Sequence, residues 1–267
     1  MLLILACTVS SADNRAWKKH SVDGSHTGCV STSKDNVKES LGNVEKGVYM
    51  SPSGRKFSKS SATARVAAAL IGVQPKMARV KEVVGYAPES IGKAYPESPL
   101  SNMFVDIIMS SVEELSGRKV DIGIGNFGGI RLDEIKGDIL LDDMLSMFPF
   151  KNQIVYVAHK GSTLKKIVDK MAQTRFQVLG GVNVEVEDGK LVKFLIGGEP
   201  VEDEKVYGLA TISFLLNGGD NLFLGADALD IVSFDVDIID IMLAYVKAET
   251  EAGRPVRYSS DSRVIIR

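Results

Sequence analysis

The stretch SPLSNMFVDIIMSSVEELSGRKVDIGIGNFGGIR, residues 98–131, decides how the rest of the chain is read. Ser98 can cap a helix through its hydroxyl, and Pro99 suits the first helical position, where its missing N–H would have had no partner. Leu100, Phe104, Ile107, Ile108, Val112 and Leu115 recur at helical spacing, and Gly117 closes the helix. Val120, Ile122 and Ile124 then alternate with Asp121 and Gly123, which predicts a strand. That strand runs straight into Gly125, Asn126, Phe127, Gly128, Gly129, Ile130 and Arg131, so a polar glycine loop sits at a strand end.

Downstream the same two periods continue. Residues 154–158 read as a strand, and Ser162 opens a helix with Leu164, Ile167, Val168 and Met171 along one face. Val182, Val184 and Val186 alternate toward Asp188-Gly189, a hairpin turn signal, and residues 191–196 return. Residues 206–212 predict a further strand. Residues 235–248 predict a closing helix with Val236, Ile239, Met242, Leu243 and Val246 inward. Helices and strands mix without strict βαβ alternation, which predicts an α+β fold, a layered mixed sheet with flanking helices.

Upstream the composition changes. Residues 11–60 hold ten serines and nine Lys+Arg against five Asp+Glu, so this stretch is basic while the remainder is acidic. It reads as an extension, residues 16–75, either a plain linker or one carrying a hairpin near residues 48–57, where Pro52 and Gly54 supply the turn. Residues 61–74, with Val66, Leu70, Ile71 and Val73 among alanines, predict a short helix packed by small side chains. The main domain is expected over residues 76–267. The apolar run from Met1 into Cys7 resembles the tail of a bacterial lipoprotein signal over residues 1–15, with a lipid anchor on Cys7; a frayed apolar terminus is the other reading.

The whole chain, 267 residues, carries 32 Lys+Arg against 34 Asp+Glu. That balance disfavours nucleic-acid binding, which needs a surfeit of cations to neutralise phosphates. Two cysteines, Cys7 and Cys29, make no disulfide framework. No Gly-x-Ser-x-Gly elbow or Walker loop is present, and His159, after a predicted strand, is expected at a surface or strand end. Clustered Asp142-Asp143 suits a helix start better than a metal site.

Three loops stand out as places for chemistry. In residues 126–131, Gly128 and Gly129 allow backbone amides to approach a ligand, and Arg131 offers a planar fork for phosphate or ribose oxygens. In residues 148–152, Phe150 follows Pro149 and precedes Lys151 and Asn152. In residues 214–220, Phe214 precedes Asn217-Gly218-Gly219-Asp220, whose carboxylate can accept from two vicinal hydroxyls. Taken singly these are a glycine turn, a core Phe and another turn. Together they hold two aromatics able to sandwich a planar base, with Asn and Asp for its edges and sugar. That inventory describes a nucleoside pocket.

At these residues the chain resembles the C-terminal, substrate-specificity domain of the 5'-nucleotidase and UDP-sugar hydrolase family. The matching stretches are PLSNMFVD (99–106), NFGGIR (126–131), FPFKN (148–152), GSTLK (161–165), LGGVNV (179–184) and FLLNGGD (214–220). The resemblance implies that Phe150 and Phe214 are a base-stacking pair and that Asp220 binds ribose hydroxyls. It implies polar contacts from Asn126, Arg131 and Asn152, and a base slot lined by Gly180. Family enzymes carry a separate metallophosphoesterase lobe with Asp-x-His, Gly-Asn-His and Gly-His-x-His motifs, and none occurs here; the histidines are His20, His26 and His159. Phe127 stands where the family often has Gly, and Pro99 where some relatives place another phosphate-contacting Arg.

The expectation is therefore a nucleotide-binding specificity domain in the bacterial envelope, with no catalytic residue, metal or cofactor of its own. A separate metallophosphoesterase chain would supply divalent metals for phosphate ester hydrolysis. The alternative is a stand-alone nucleoside-binding envelope protein.

Overall fold

The computed structural model describes residues 35–267, and its contacts divide the chain into two units with the boundary between Lys76 and Met77. Cys7, Cys29, His20, His26 and the expected signal remnant lie outside the described residues.

In the first unit a short helix α1 (Val37–Leu41) precedes three antiparallel strands, β1 (Asn43–Glu45), β2 (Val48–Met50) and β3 (Lys56–Ser58), in the order β1-β2-β3. The hairpin expected near residues 48–57 is present, with Tyr49 opposite Phe57 and their rings stacked 5.8 Å apart. Helix α2 (Ala62–Met77) buries Ala64 and Ala67 beside Tyr49, the small-residue packing that its alanines predict. Val66, Leu70 and Val73 are exposed.

The second unit holds the main core. Its elements in order are β4 (Val83–Gly92), α3 (Pro99–Ser116), β5 (Ile122–Gly125), β6 (Glu134–Leu140), α4 (Leu141–Met147), β7 (Gln153–Lys160) and α5 (Gly161–Gln173). There follow β8 (Val178–Gly180), β9 (Val182–Glu187), β10 (Lys190–Ile196), β11 (Glu199–Pro200), β12 (Val206–Ile212), α6 (Ser213–Leu216), β13 (Asp230–Asp237), α7 (Ile238–Glu251) and β14 (Val264–Ile266). A five-stranded mixed sheet runs β13-β7-β12-β5-β8, a four-stranded one β11-β10-β9-β14, and β4 pairs with β6. The fold is α+β with layered mixed sheets and flanking helices.

Local chemistry explains most of these elements. The Ser98 hydroxyl accepts the Ser101 N–H at 3.1 Å, Pro99 occupies the first turn, and Gly117 takes a left-handed conformation that ends α3. Leu100, Phe104, Ile107, Ile108 and Val112 are buried, whereas Leu115, in the last turn, is exposed. Asp188 and Gly189 both have positive φ, as a tight hairpin between β9 and β10 requires. The Asp143 carboxylate accepts the Leu140 N–H at 2.8 Å, so the acidic pair does open a helix.

Two expectations need correction, and two strands carry no expectation at all. Residues 235–237, read as helix, are the end of edge strand β13, and α7 begins at Ile238. Strands β4 and β6 have no clear alternating signal, because glycines and register shifts interrupt both. His159 is at a strand end, next to the last residue of β7, but it is not superficial. It is fully buried, and its Nε2–H donates to the Leu224 carbonyl at 2.8 Å, tying a loop to the sheet.

The order of the five-stranded sheet fixes where loops gather. Strands β5 and β12 are parallel neighbours, so their C-terminal ends lie at the same edge. Strands β7 and β8 run antiparallel to them, with Ile154 opposite Ile212 and Val178 opposite Gly125. The segments entering β7 and β8 therefore reach that same edge. Four loops meet there: 126–131, 148–152, 174–177 and 213–221.

Candidate functional site

The site grows from the end of β5, where Asn126 leaves the sheet and residues 127–129 make a single turn closed by Gly129 N–H to the Asn126 carbonyl at 3.2 Å. The Asn126 side chain is 4% exposed, and its Nδ2 donates to Oδ2 of Asp220, 94 residues away, at 2.7 Å. Gly129 is required by this arrangement, since a Cβ there would stand 2.6 Å from Asn126 Oδ1. That Oδ1 is buried and has no hydrogen-bond partner among the described residues. A buried carbonyl oxygen without a donor costs free energy on the order of 1–3 kcal/mol, which a ligand N–H or O–H would recover.

Asp220 is held in an unusual backbone. It has φ of +50° and is followed by Asn221 at +59°, in the left-handed region that non-glycine residues seldom occupy. Gly218, at φ +103°, opens the turn, and Lys170 Nζ donates to the Asn221 carbonyl at 2.6 Å. Strain of this kind persists where surrounding bonds over-determine it, and here it aims an exposed carboxylate at Asn126.

The two candidate stacking rings are both on the surface, each 45% exposed. Phe214 sits on α6 against the backbone of Gly219, where a Cβ would lie 2.5 Å from its Cε1. Phe150 lies near Arg131, whose guanidinium carbon is 5.8 Å from the ring centroid. In the Phe148-Pro149-Phe150 run, Phe148 is the core member, stacked on Phe104 at 5.5 Å, and Phe150 is turned outward. The Arg131 N–H also donates to the Met147 carbonyl at 2.9 Å, so the glycine loop is pinned to the end of α4.

A cavity of about 630 Å³ opens beside the glycine loop, lined by Lys93, Tyr95, Phe127, Arg131, Arg175 and Asp220 among others; neither Phe150 nor Phe214 lines it. Gly128 also lines it. Lys93 is neutralised by Asp133 at 2.8 Å, and hydrogen bonding from Lys93 holds the Asp133 carboxyl below its usual range. Arg131 and Arg175 form no ion pair among the described residues.

Of the residues singled out in the sequence, Asn126, Gly128, Gly129, Arg131, Phe150, Asn152, Phe214 and Asp220 are on the loops at this edge. The Asn152 backbone carbonyl also accepts the Ile238 N–H at 3.0 Å, anchoring the start of α7. Gly180 sits differently: opposite Gly123 in the sheet, it packs beneath α3, where a Cβ would meet Met109 Sδ at 2.7 Å. Sequence reasoning missed Lys93, Tyr95, Arg175 and Gln177. Only Gln177 is buried, and its side-chain carbonyl accepts the Phe127 N–H at 3.2 Å. None of the four falls in a periodic pattern or a glycine loop, so no local signal marks them. Among the described residues no group of three His, Cys, Asp or Glu side chains could hold a metal ion.

This loop-bearing unit has counterparts among known proteins. The chain is 35% identical over 105 residues to "Protein UshA" of Salmonella pullorum, covering 38% of this chain and 19% of that protein. It is 31% identical over 120 residues to a 5'-nucleotidase of Vibrio cholerae, covering 42% and 21%. It superposes on the 5'-nucleotidase precursor from Thermus thermophilus with a TM-score of 0.66 at 21% identity, covering 82% of this chain and 45% of the other. The NAD nucleotidase of Haemophilus influenzae gives a TM-score of 0.58 at 16% identity, covering 82% and 47%. The chain thus spans about a fifth of the curated relatives and under half of the solved neighbours. The family model described as "5'-nucleotidase, C-terminal domain" matches residues 77–226, which is more than half of the sequence and takes in all four converging loops. By that match the chain belongs to the 5'-nucleotidase C-terminal domain family.

Proposed function

We propose that the second unit grips a nucleotide or nucleoside at the sheet edge, with the base between Phe150 and Phe214 and the sugar hydroxyls on Asp220. The observation that carries this reading is the Asn126–Asp220 hydrogen bond, which joins two distant loops beside two outward aromatic rings. Stacking on an aromatic face contributes about 1–3 kcal/mol per base, and a few hydrogen bonds bring the total to micromolar affinity. The chain's own residues bind and orient the ligand, and in this reading they perform no bond-breaking step. In this reading, hydrolysis of the phosphate ester falls to a metallophosphoesterase site supplied by a separate chain.

Calorimetry with adenosine and AMP tests the binding reading. Micromolar binding is expected, weakened about tenfold or more by Phe214→Ala; no binding, or binding indifferent to that substitution, overturns it. Turnover of AMP by this polypeptide alone, in the presence of divalent metal, would refute the separate-chain assignment. Binding that never supports hydrolysis when a metallophosphoesterase chain is added would instead favour a nucleoside-binding protein.

We also assign the protein to the bacterial envelope, anchored through Cys7. No helix among the described residues is long and apolar enough to cross a membrane. Fractionation checks the assignment, with Cys7→Ser expected to move the protein from the membrane to the soluble fraction.

A further inference from the structure

The cavity at the sheet edge is lopsided in charge. Its lining holds three cations and one carboxylate, Asp220, already engaged by Asn126. Lys93 has its counter-charge in Asp133, but neither guanidinium has one among the described residues. Arg131 has a sequence motif and a long 3.5 Å contact to the Gly128 carbonyl. Arg175 belongs to no motif and reaches the cavity only because its segment enters β8 at the same edge.

Its position is built. The Arg175 guanidinium carbon lies 5.1 Å from the centroid of Tyr95, a ring that itself packs against Phe127 at 5.8 Å. The next residue, Phe176, donates its N–H to the Tyr95 hydroxyl at 3.3 Å. Consecutive residues thus clasp one ring by its face and its hydroxyl. A guanidinium stacked on an aromatic face keeps its in-plane N–H donors free, so the stack presents a fork and does not consume it.

We infer that Arg175, presented by Tyr95, is a second anion-binding residue of this site and sets its preference for phosphorylated over unphosphorylated nucleosides. The inference rests on the nucleotide reading above and adds to it the residue that senses phosphate. Two unneutralised guanidiniums lining one cavity favour an anionic occupant, and charge-assisted bonds from a planar fork suit phosphoryl oxygens. Lys at this position would keep the charge but lose the stack and the paired donors.

The experiment titrates the full chain and its Arg175→Ala, Arg175→Lys and Tyr95→Ala variants with adenosine, AMP and inorganic pyrophosphate. In Arg175→Ala, AMP binding is expected to weaken about tenfold or more while adenosine binding stays within about twofold. Arg175→Lys should recover only part of the loss. Tyr95→Ala should weaken AMP, and adding it to Arg175→Ala should cost little more, because the two residues act as one unit. The preference for AMP over adenosine should shrink as salt rises. Equal effects on AMP and adenosine, or none on either, overturn the inference while leaving the nucleotide reading intact. Pyrophosphate binding that depends on Arg175, without any nucleoside binding, overturns the nucleotide reading and keeps Arg175 as an anion contact. A chain that binds none of the three overturns both. Arg175 is exposed, so its substitution leaves the core untouched, and circular dichroism checks folding.

Discussion

Gly129 shows how a single missing methyl can organise a site. Its Cα faces the Asn126 carboxamide so closely that alanine would displace Oδ1, and with it the Nδ2–H donated to Asp220. Gly129→Ala is therefore expected to weaken adenosine binding about tenfold, the worth of one well-placed polar contact. Calorimetry reads this directly, and unchanged affinity would mean that the Asn126–Asp220 bond does not organise the ligand site. The glycine and the asparagine were both legible in the sequence as a loop able to approach a ligand. That Asn126 reaches a residue 94 positions away was not, because no local pattern encodes a contact at that separation.

At the scale of elements, two opposed glycines set how closely helix α3 lies on its sheet. A Cβ at Gly123 would stand 2.6 Å from both Val105 Cγ2 and Met109 Cγ, and one at Gly180 would meet the same two side chains. Val105 is fully buried and β-branched, so it has little freedom to turn aside. Gly123→Ala should cost about 1–3 kcal/mol by overpacking, measured by urea unfolding. Gly180→Ala should cost less, because its nearest contact is the flexible Met109 thioether. Equal stability of both variants with the parent would show that the helix can lift without penalty. The helix α3, strand β5 and hairpin β9–β10 were all readable because caps, alternation and turn residues agree there. Strands β4, β6 and β13 were not. Gly85 and Pro88 interrupt β4, Gly137 interrupts β6, and the apolar positions after residue 236 continue a helical spacing that begins only in α7.

Across the whole second unit, the C-terminal segment is locked to helix α3 by ionic contacts. Arg263, its side chain 9% exposed, donates to Asp106 at 2.7 Å and to Asp261 at 2.7 Å. Hydrogen bonding from Arg263 holds the Asp261 carboxyl below its usual range. The Glu97 carboxylate collects N–H groups from Asn102, Asp261 and Ser262. Removing the cation takes away the group that ties both carboxylates to one point, although Asp106 and Asp261, 32% and 57% exposed, stay in contact with water. Arg263→Ala should therefore destabilise by about 1–3 kcal/mol, the range for lost charge-assisted hydrogen bonds, seen as a lowered thermal midpoint. A midpoint indistinguishable from that of the parent would show that β14 is held by its pairing with β9 and its apolar contacts without the ionic ones.

The amino-acid sequence by itself determined the helices with their caps, the alternating strands, and the roster of glycine and aromatic loops, since periodicity and capping are local hydrogen-bonding and burial effects. It also carried the family resemblance, through short motifs in loops, helices and strands. Only the tertiary structure decided which loops face one another. The order β13-β7-β12-β5-β8, with β5 parallel to β12 and antiparallel to β8, delivers four separate segments to one edge. Arg175 reaches that edge because its segment enters β8, and Tyr95, which follows β4 of the separate β4–β6 pair, meets it there through tertiary packing that no local pattern encodes.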